Sequence, residues 1–217
     1  MAGYHSVVQG EHVPGLAWSY GFTDYNTIWN HPNNAALKSK RENPNVLHPG
    51  DSLYIPDRQE GEYQRPTDQR HKFVLKQTTL KLRLKLLDQY EKPIANASCV
   101  LTVDSDSRKV TTGGDGKIEV EIPFSAQQSV LVIEDVEQSP YHGATIAIKI
   151  GNLDPVNEVS GQQGRLYNLG YFRGEIDGNP GPDFDSAVEE FQCDQGLTVD
   201  GICGPVTQAR LKAVYGC

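Results

Sequence analysis

The sequence is poor in the features that build metal centres, redox sites and membrane spans. No apolar run approaches the ~18–20 residues that cross a bilayer. Four cysteines in 217 residues are too sparse for a scaffold built on disulfides. They form no CxxC pair, so the common zinc and redox motifs are absent as well. We therefore expect no bound metal, no cofactor and no membrane as a partner.

Basic residues are also in short supply. Lys and Arg together number 20 against 28 Asp and Glu, which leaves a net charge of −8. Proteins that bind nucleic acids draw much of their affinity from clustered Lys and Arg that neutralise phosphates. We therefore expect no nucleic acid as a partner. An uncharged glycan remains compatible with this charge balance.

The middle of the chain, residues 72–151, has the alternation of a β-sheet. Residues 80–86 (LKLRLKL) would place four leucines on one face of a strand and the cations on the other. The GGDG sequence at 113–116 indicates a tight turn between two strands. Several short strands at this spacing predict an antiparallel β-sandwich. Further strands are predicted at 100–103, 117–122, 130–133 and 145–150.

Residues 1–57 are predicted to form a compact α+β unit with strands at 4–9 and 52–55. Pro14 suits the first turn of a helix, Gly21 suits the position past its end, and Asp24 could cap a second helix. Residues 58–71 contain no aliphatic side chain and are predicted to be a polar linker.

Residues 157–217 switch to a helical period. Apolar residues between Phe184 and Phe191 recur at i, i+3, i+4 and i+7, with Asp183 as the predicted cap and Gly196 as the predicted end. A bridge between two of the three cysteines in this segment is left open. Further helices are predicted at 157–169 and from 205 onward.

The same segment contains an internal repeat. Residues 177–182 (DGNPGP) return in similar form at 200–205 (DGICGP), and each copy precedes a helix. Glycine permits a positive φ and proline presets φ for a helix start. The repeat therefore predicts two tight turns that each lead the chain into a helix.

Three C-terminal motifs resemble the peptidoglycan-binding domain family found beside many wall hydrolases. They are LGY at 169–171, AVxxFQ at 187–192 and GLxxDGxxGPxT at 196–207. The resemblance implies a three-helix bundle without catalysis of its own. We predict that it contacts glycan through Tyr171, Phe172, Asp177, Gln192 and Asp200.

Structural roles for several of these residues stay open. Asp177 and Asp200 could be turn carboxylates bonded to nearby N–H groups instead of sugar ligands. Tyr171 and Phe172 could pack against Phe191 in the core instead of stacking on a sugar ring.

Two N-terminal motifs resemble the LysM module, YHSVVQGEH at 4–12 and PGDSLYIP at 49–56. The resemblance implies a βααβ fold that binds N-acetylglucosamine polymers in a shallow groove between the loops 10–14 and 43–47. The stretch 30–43 is longer than is usual in these modules. The implied groove residues are Gly10, Glu11, His12, Val13, Asn43, Pro44, Asn45 and Val46.

The middle segment is similar to transthyretin-like and carboxypeptidase-regulatory-like sandwiches. The similarity lies in residues 87–97 (LDQYEKPIANA), 112–118 (TGGDGKI) and the IP pair at 122–123. Such domains serve as spacers or interaction modules, which implies a spacer role here.

The sequence offers no familiar active site. It has no HxH, HExxH or GxSxG motif, and Cys99 lies among apolar residues of a predicted strand. The pair Glu189 and Glu190 falls on the polar face of a helix, where solvation is the ordinary state. We predict that the protein is not an enzyme; an unrecognised site in the sandwich is the alternative.

These features together predict a peptidoglycan-binding protein that anchors or targets to the bacterial cell wall. Two weak sites on one chain would raise avidity through effective concentration. The alternative is a spike-associated component or cargo adaptor of a contractile injection (type VI-like) secretion system, where similar LysM-like modules with a long insert occur. Residues 1–12 lack the regions of a secretory signal. We therefore expect synthesis in the cytoplasm and action at the periplasm or wall after export by a non-Sec route.

Overall fold

The computed structural model of the protein describes residues 2–58, 65–72, 79–90, 92–134 and 140–217. Within these ranges the fold is mixed α+β, with six α-helices and several antiparallel β-sheets. None of the helices in these ranges is long and apolar enough to cross a membrane. Part of the linker predicted at 58–71, residues 59–64, lies outside the described residues.

The N-terminal part begins and ends with a strand, and these two strands form one sheet. They are β1 (Gly3–Ser6) and β2 (Ser52–Ile55). The second strand lies where the sequence predicts it, whereas the first is shorter than the predicted span 4–9. The connection contains α1 (Val13–Ser19), α2 (Asn26–Trp29), a 3-10 turn (Pro32–Asn34) and α3 (Ala35–Arg41). The long stretch 30–43 is thus occupied by the 3-10 turn and α3.

The first strand stops early because the chain turns back at residues 8–11. The Glu11 N–H donates to the Val8 carbonyl oxygen at 3.1 Å, and the Glu11 carboxylate accepts from the Val8 N–H at 2.9 Å. Gly10 has a φ of +90°, a conformation that glycine adopts without steric cost. This turn takes up the residues that the alternation alone assigns to the strand.

Residues 79–149 contribute six strands in two antiparallel sheets. The strands are β3 (Thr79–Lys85), β4 (Ser98–Val103), β5 (Asp106–Thr111), β6 (Lys117–Pro123), β7 (Gln128–Ile133) and β8 (Thr145–Lys149). One sheet pairs β3 with β6, and the other has the order β5-β4-β7-β8. Both sheets contribute to one core, in which Ile118 and Ile122 are buried together with Cys99, Leu101 and Leu131.

The alternation predicted for β3 is confirmed. Its leucines pack against the shared core, while the cations stand on the opposite face. There Lys81 and Arg83 contact Glu119 of the paired strand, at 2.7 and 2.8 Å. The two cations hold the pKa of the Glu119 carboxyl at about 2.

The sequence pattern misses β5, whose residues DSRKVT contain a single apolar side chain. This strand pairs antiparallel with β4, and the two are joined by a short turn at Asp104 and Ser105. Asp104 adopts a positive φ of 52° in that turn. The turn predicted at 113–116 is confirmed by a hydrogen bond from the Gly116 N–H to the Gly113 carbonyl oxygen at 2.9 Å. It joins β5 to β6, which lie in different sheets, so it is not a hairpin turn.

Three helices follow, in the segment where the helical period predicts them. They are α4 (Val159–Leu169), α5 (Pro182–Asp194) and α6 (Pro205–Tyr215). Gly170 and Gly216 end the first and the last in the left-handed conformation. Their shared core contains Leu166, Phe191 and Leu211. All four cysteines of the chain are unbridged, and Cys99 is buried.

The predicted cap at Asp183 is wrong. Gly181 is the N-cap of α5, and Pro182 occupies the first helical position. Proline presets the helical φ and lacks the N–H that a helix start leaves unpaired, so the helix begins before Asp183. Asp183 lies instead in the first turn, where its negative charge interacts favourably with the positive end of the helix dipole.

Close contacts divide the chain into two compact units. The sheet unit comprises Met1–Gly3, Val13–His31 and Tyr54–Ile150, and the helical unit comprises Tyr4–His12, Pro32–Leu53 and Gly151–Cys217. The helical unit therefore draws together stretches from both ends of the sequence. The domain boundaries 1–57, 58–71, 72–151 and 157–217 stay predictions.

Candidate functional site

A buried glutamine holds the first repeated turn of the helical unit. Gln163 of α4 donates from Nε2 to Asp177 Oδ1 at 3.1 Å and to the Asn179 carbonyl oxygen at 3.0 Å. Its Oε1 accepts the Gly178 N–H at 2.8 Å. Gln163 is buried, so its amide must find its partners inside the protein, and the turn supplies them.

A second buried glutamine holds the second turn through the equivalent atoms. Gln192 of α5 donates to Asp200 Oδ1 at 2.8 Å and to the Ile202 carbonyl oxygen at 3.1 Å. Its Oε1 accepts the N–H groups of Asp200 and Gly201 at 3.0 and 3.1 Å. The structure thus places Gln192 in the interior as a residue that holds a turn. At 1% exposure, its side chain is not available to a ligand at the surface.

The two aspartates of the repeat close turns on their own backbone. Asp177 Oδ1 accepts the Asn179 N–H, and Asp200 Oδ1 accepts the Ile202 N–H, each at 2.9 Å. The Asn179 N–H, followed by the Gln163 amide, lowers the pKa of the Asp177 carboxyl to about 2. Gln192 likewise lowers the pKa of Asp200. Both aspartates remain exposed, so a ligand can still reach them.

We expect the Asp177 carboxyl to titrate at about pH 2 in the folded protein. Because its folded pKa lies below the ordinary 3.8, its stabilising effect is complete above that pH and is lost as the pH falls through about 2. The ¹³C shift of the carboxyl carbon against pH measures this, and the Asp177→Asn variant identifies the resonance. A midpoint near 3.8 would show that the turn does not favour the charged form.

The two predicted aromatic contacts lie at different depths. Phe172 is buried and packs edge-on against Phe184, with ring centroids 6.3 Å apart. Tyr171 is half-buried, packs edge-on against Phe191 at 5.4 Å and donates its hydroxyl to Asp194 at 3.1 Å. Phe172 is therefore a core residue, and only Tyr171 of the two is accessible.

Exposed aliphatic residues flank both turns, and the sequence analysis overlooks them. Ile176 and Val199, each directly before an aspartate of the repeat, are 51% and 52% exposed. Ile202 and Val206, around the second turn, are 66% and 71% exposed. The repeat itself carries the signal, because an aliphatic residue precedes the aspartate in both copies. Grouped exposed apolar residues often mark a contact surface.

The first predicted LysM-like loop is largely occupied by its own contacts. Glu11 lies 2.7 Å from His5 Nε2 and also accepts the Val8 N–H. His12 is buried, and burial lowers the pKa of its imidazole. Val13, the last residue of the predicted set, is buried and belongs to the sheet unit. Of this loop, Gly10 and Glu11 are the partly accessible positions.

The second predicted LysM-like loop is a polar turn. Asn43 accepts the Asn45 N–H on its side-chain oxygen at 2.9 Å and the Val46 N–H on its carbonyl oxygen at 3.1 Å. Val46 is buried, Pro44 is half-buried and Asn45 is exposed. All four residues belong to the helical unit, as do Gly10, Glu11 and His12.

A buried ion pair, absent from the sequence-based set, joins distant parts of the helical unit. Arg41 contacts both carboxylate oxygens of Asp51 at 2.7 and 2.9 Å, and it lies 3.4 Å from Glu158. The Asp51 hydrogen bond raises the pKa of Arg41. Burial opposes ionisation of Asp51, but Arg41 and the His48 N–H outweigh it and hold the pKa of Asp51 low.

A second buried arginine holds the start of α4 against the end of the chain. Arg165 is 1% exposed and donates to the carbonyl oxygens of Asp154 and Gly161, both at 2.8 Å. It also donates to the Cys217 main-chain oxygen at 3.1 Å and stands over the Tyr215 ring. Burial lowers its pKa, yet a guanidinium remains charged at neutral pH.

The part of the chain that the structure describes contains no group of three or more His, Cys, Asp or Glu placed to hold a metal ion. Residues 156–211 form helices joined by two turns, which the buried Gln163 and Gln192 hold through hydrogen bonds. Exposed aliphatic and acidic side chains lie beside these turns. Exposed apolar side chains grouped in this way are typical of a contact surface.

Residues 156–211 match the family described as "Putative peptidoglycan binding domain". The C-terminal segment is therefore a peptidoglycan-binding domain, and the resemblance predicted from its motifs is confirmed. The match ends at Leu211, inside α6, and contains both turns of the repeat.

Two relatives each share a stretch of 59 residues with the chain. The chain is 39% identical over 59 residues to the N-acetylmuramoyl-L-alanine amidase CwlM of Mycobacterium tuberculosis. These residues make up 27% of this chain and 14% of that protein. The chain is 44% identical over 59 residues to the "Uncharacterized protein in bpoA1 3'region" of Kitasatospora aureofaciens. These residues make up 27% of this chain and 50% of that protein. The chain thus spans at most half of either relative. No solved structure matches the chain.

Proposed function

We propose that this chain is a non-catalytic peptidoglycan-binding protein that anchors or targets to the bacterial cell wall. One observation carries the proposal: residues 156–211 match the peptidoglycan-binding family, and both glutamine-held turns lie inside the match. One relative, which shares 59 residues with the chain, is named an N-acetylmuramoyl-L-alanine amidase, and this name supports murein as the class of ligand.

We further infer the modules around this domain. The order of β1, three helices and β2, with the two strands paired, supports a LysM-like module that binds N-acetylglucosamine-containing glycan. Two sheets around one core support a β-sandwich spacer, and α4 to α6 support a three-helix bundle. A spike-associated role in a secretion system stays a prediction that no observation in the described residues favours.

The proposal that the protein is not an enzyme is supported by the state of its carboxylates. Glu189 and Glu190, the adjacent pair in the peptidoglycan-binding domain, are exposed on α5. Both side chains face solvent and lack the enclosed pocket in which small-molecule and substrate sites are usually built. A binding role needs no such site.

Sedimentation with purified sacculi tests the proposal. We expect the full chain to pellet with sacculi and to leave the supernatant, whereas an unrelated acidic protein of similar size stays in solution. The same supernatants report on catalysis, because an enzyme would release soluble muropeptides with time. Retention no better than the unrelated protein would refute peptidoglycan binding, and released muropeptides would refute the non-catalytic role.

A further inference from the structure

Stretches from both ends of the sequence meet closely inside the helical unit. Gln9 donates to the Asn152 carbonyl oxygen at 3.2 Å and to Asp154 at 3.3 Å. Gly151 approaches the chain at Gly10 so closely that an added Cβ would overlap the Gly10 carbonyl oxygen. The N-terminal turn and the segment before α4 therefore form one continuous surface.

Charged contacts join the end of α3 to the helices α4 and α6 of the same unit. The buried Arg41 reaches Glu158 at the start of α4, and Lys212 of α6 lies 2.8 Å from Glu42. The Arg41 side chain is 1% exposed and that of Glu158 is 33% exposed, so solvent and salt screen this contact only in part. Hydrogen bonds, a close main-chain approach and a partly buried ion pair thus join the N-terminal stretches to the start of α4.

An open groove of about 450 Å³ lies at this junction. Its size falls within the ~300–1,000 Å³ that small-molecule sites occupy. Residues from near the N-terminus and from the peptidoglycan-binding domain line it together, so neither stretch forms it alone. Among the lining residues are Gln9, His48, Pro49, Glu158, Ser160 and Ile176.

Three side chains of the lining offer acceptor atoms to a ligand. The Gln9 side-chain nitrogen donates to Asn152 and Asp154, whereas its Oε1 accepts no hydrogen bond within the described residues. Both hydrogen bonds that the Glu158 side chain accepts there go to Oε1, which leaves its Oε2 as an acceptor. His48 Nδ1 lies 2.9 Å from the Pro49 carbonyl oxygen, to which only a protonated nitrogen can donate. Nε2 of the neutral ring is then a third acceptor. A ligand rich in hydroxyl and N–H donors satisfies these atoms.

The rest of the lining narrows the class of ligand further. Asp154, Glu158 and Asp177 make the groove negative, which repels phosphate-bearing polymers. Ile176 is 51% exposed there and offers an apolar surface to the C–H face of a sugar ring. Hydroxyl donors, an apolar face and no negative charge describe an uncharged sugar, and in the wall glycan of the proposed function the uncharged sugar is N-acetylglucosamine.

We propose that this groove is a composite glycan site, which binds uncharged acetamido sugars jointly through the N-terminal loops and the first turn of the peptidoglycan-binding domain. It rests on the proposed function and adds to it where on the chain the sugar lies. The N-terminal loops and the peptidoglycan-binding domain then form a single binding site, whereas the sequence predicts two separate weak sites.

The experiment titrates the ¹⁵N-labelled full chain with the tetramer of N-acetylglucosamine. We expect the amides of Gly10 and His48 to shift together with those of Ile176 and Gly178, with one dissociation constant. The double variant Gln9→Ala/His48→Ala should bind the tetramer about tenfold more weakly, since it removes two hydrogen-bond acceptors. Val214→Ser, which changes an exposed aliphatic residue of α6 outside the lining, should bind as the wild type does.

Two further ligands separate the classes. A stem tripeptide without sugar and a glycerol phosphate polymer should both leave the groove amides unshifted. Shifts confined to one of the two stretches, or shifts produced by either of these ligands alone, would overturn the composite site. If the double variant binds the tetramer normally while the wild type pellets with sacculi, the groove is refuted and the proposed function survives. Failure of the wild type to pellet refutes the proposed function itself.

Discussion

Replacing Gly161 by alanine is expected to destabilise the helical unit by about 3 kcal/mol or more. Gly161 lies in the first turns of α4, where an added Cβ would overlap the Pro155 carbonyl oxygen and stand 2.6 Å from that of Asp154. Main-chain atoms cannot rotate away as a side chain can. A shift of this backbone would also pull apart the hydrogen bonds that Arg165 makes to Asp154 and Gly161.

The same helix provides the matched control. At Gly164 an added Cβ would meet only the Leu153 Cδ1 at 3.4 Å and the Ile176 Cδ1 at 4.0 Å, which are ordinary contacts. Alanine is the better helix former, so Gly164→Ala should leave stability unchanged or raise it by about 0.5–1 kcal/mol. Hydrogen exchange of the α4 amides in the full chain measures both variants. Equal protection in the two variants would show that the close approach at Gly161 does not exist.

Periodicity in the sequence predicts much of the fold. Residues 80–86 alternate strictly and form the strand that the alternation predicts, because one face of the sheet is buried and the other solvated. The helix around Phe184 and Phe191 follows its predicted period for the same reason. β5 escapes detection because its place in the sheet is decided by pairing with β4, and its own residues carry no apolar alternation.

The candidate site is less accessible to sequence analysis. The motif that contains Gln192 is recognised, but a motif does not reveal that this side chain points inward and holds a turn. Arg41 and Glu158 lie 117 positions apart, so no local spacing links them. The groove at their junction depends on the same long-range contacts and could not be predicted from either stretch by itself.

Replacing Arg41 by methionine is expected to destabilise the helical unit by about 3–5 kcal/mol. The change keeps the apolar length of the side chain but leaves the Asp51 carboxylate, 4% exposed, without its bidentate partner. Lys40 lies 3.6 Å from Asp51, yet its side chain is 59% exposed and offers only a solvated charge. An unpaired buried charge costs far more than the ion pair contributes. Urea unfolding of the full chain, followed by far-UV circular dichroism, measures the loss.

A second change in the same pair distinguishes the charge from the packing. Adding Asp51→Asn to the Arg41→Met variant removes the stranded charge and keeps an oxygen for the His48 N–H, which donates to Asp51 at 2.9 Å. We expect this double variant to recover at least half of the lost stability. Lys212→Met, which breaks the exposed pair with Glu42, should leave stability almost unchanged, since solvent already screens that contact. If Lys212→Met proved as damaging as Arg41→Met, burial of the Arg41 pair could not be the cause, because the two contacts differ chiefly in their exposure.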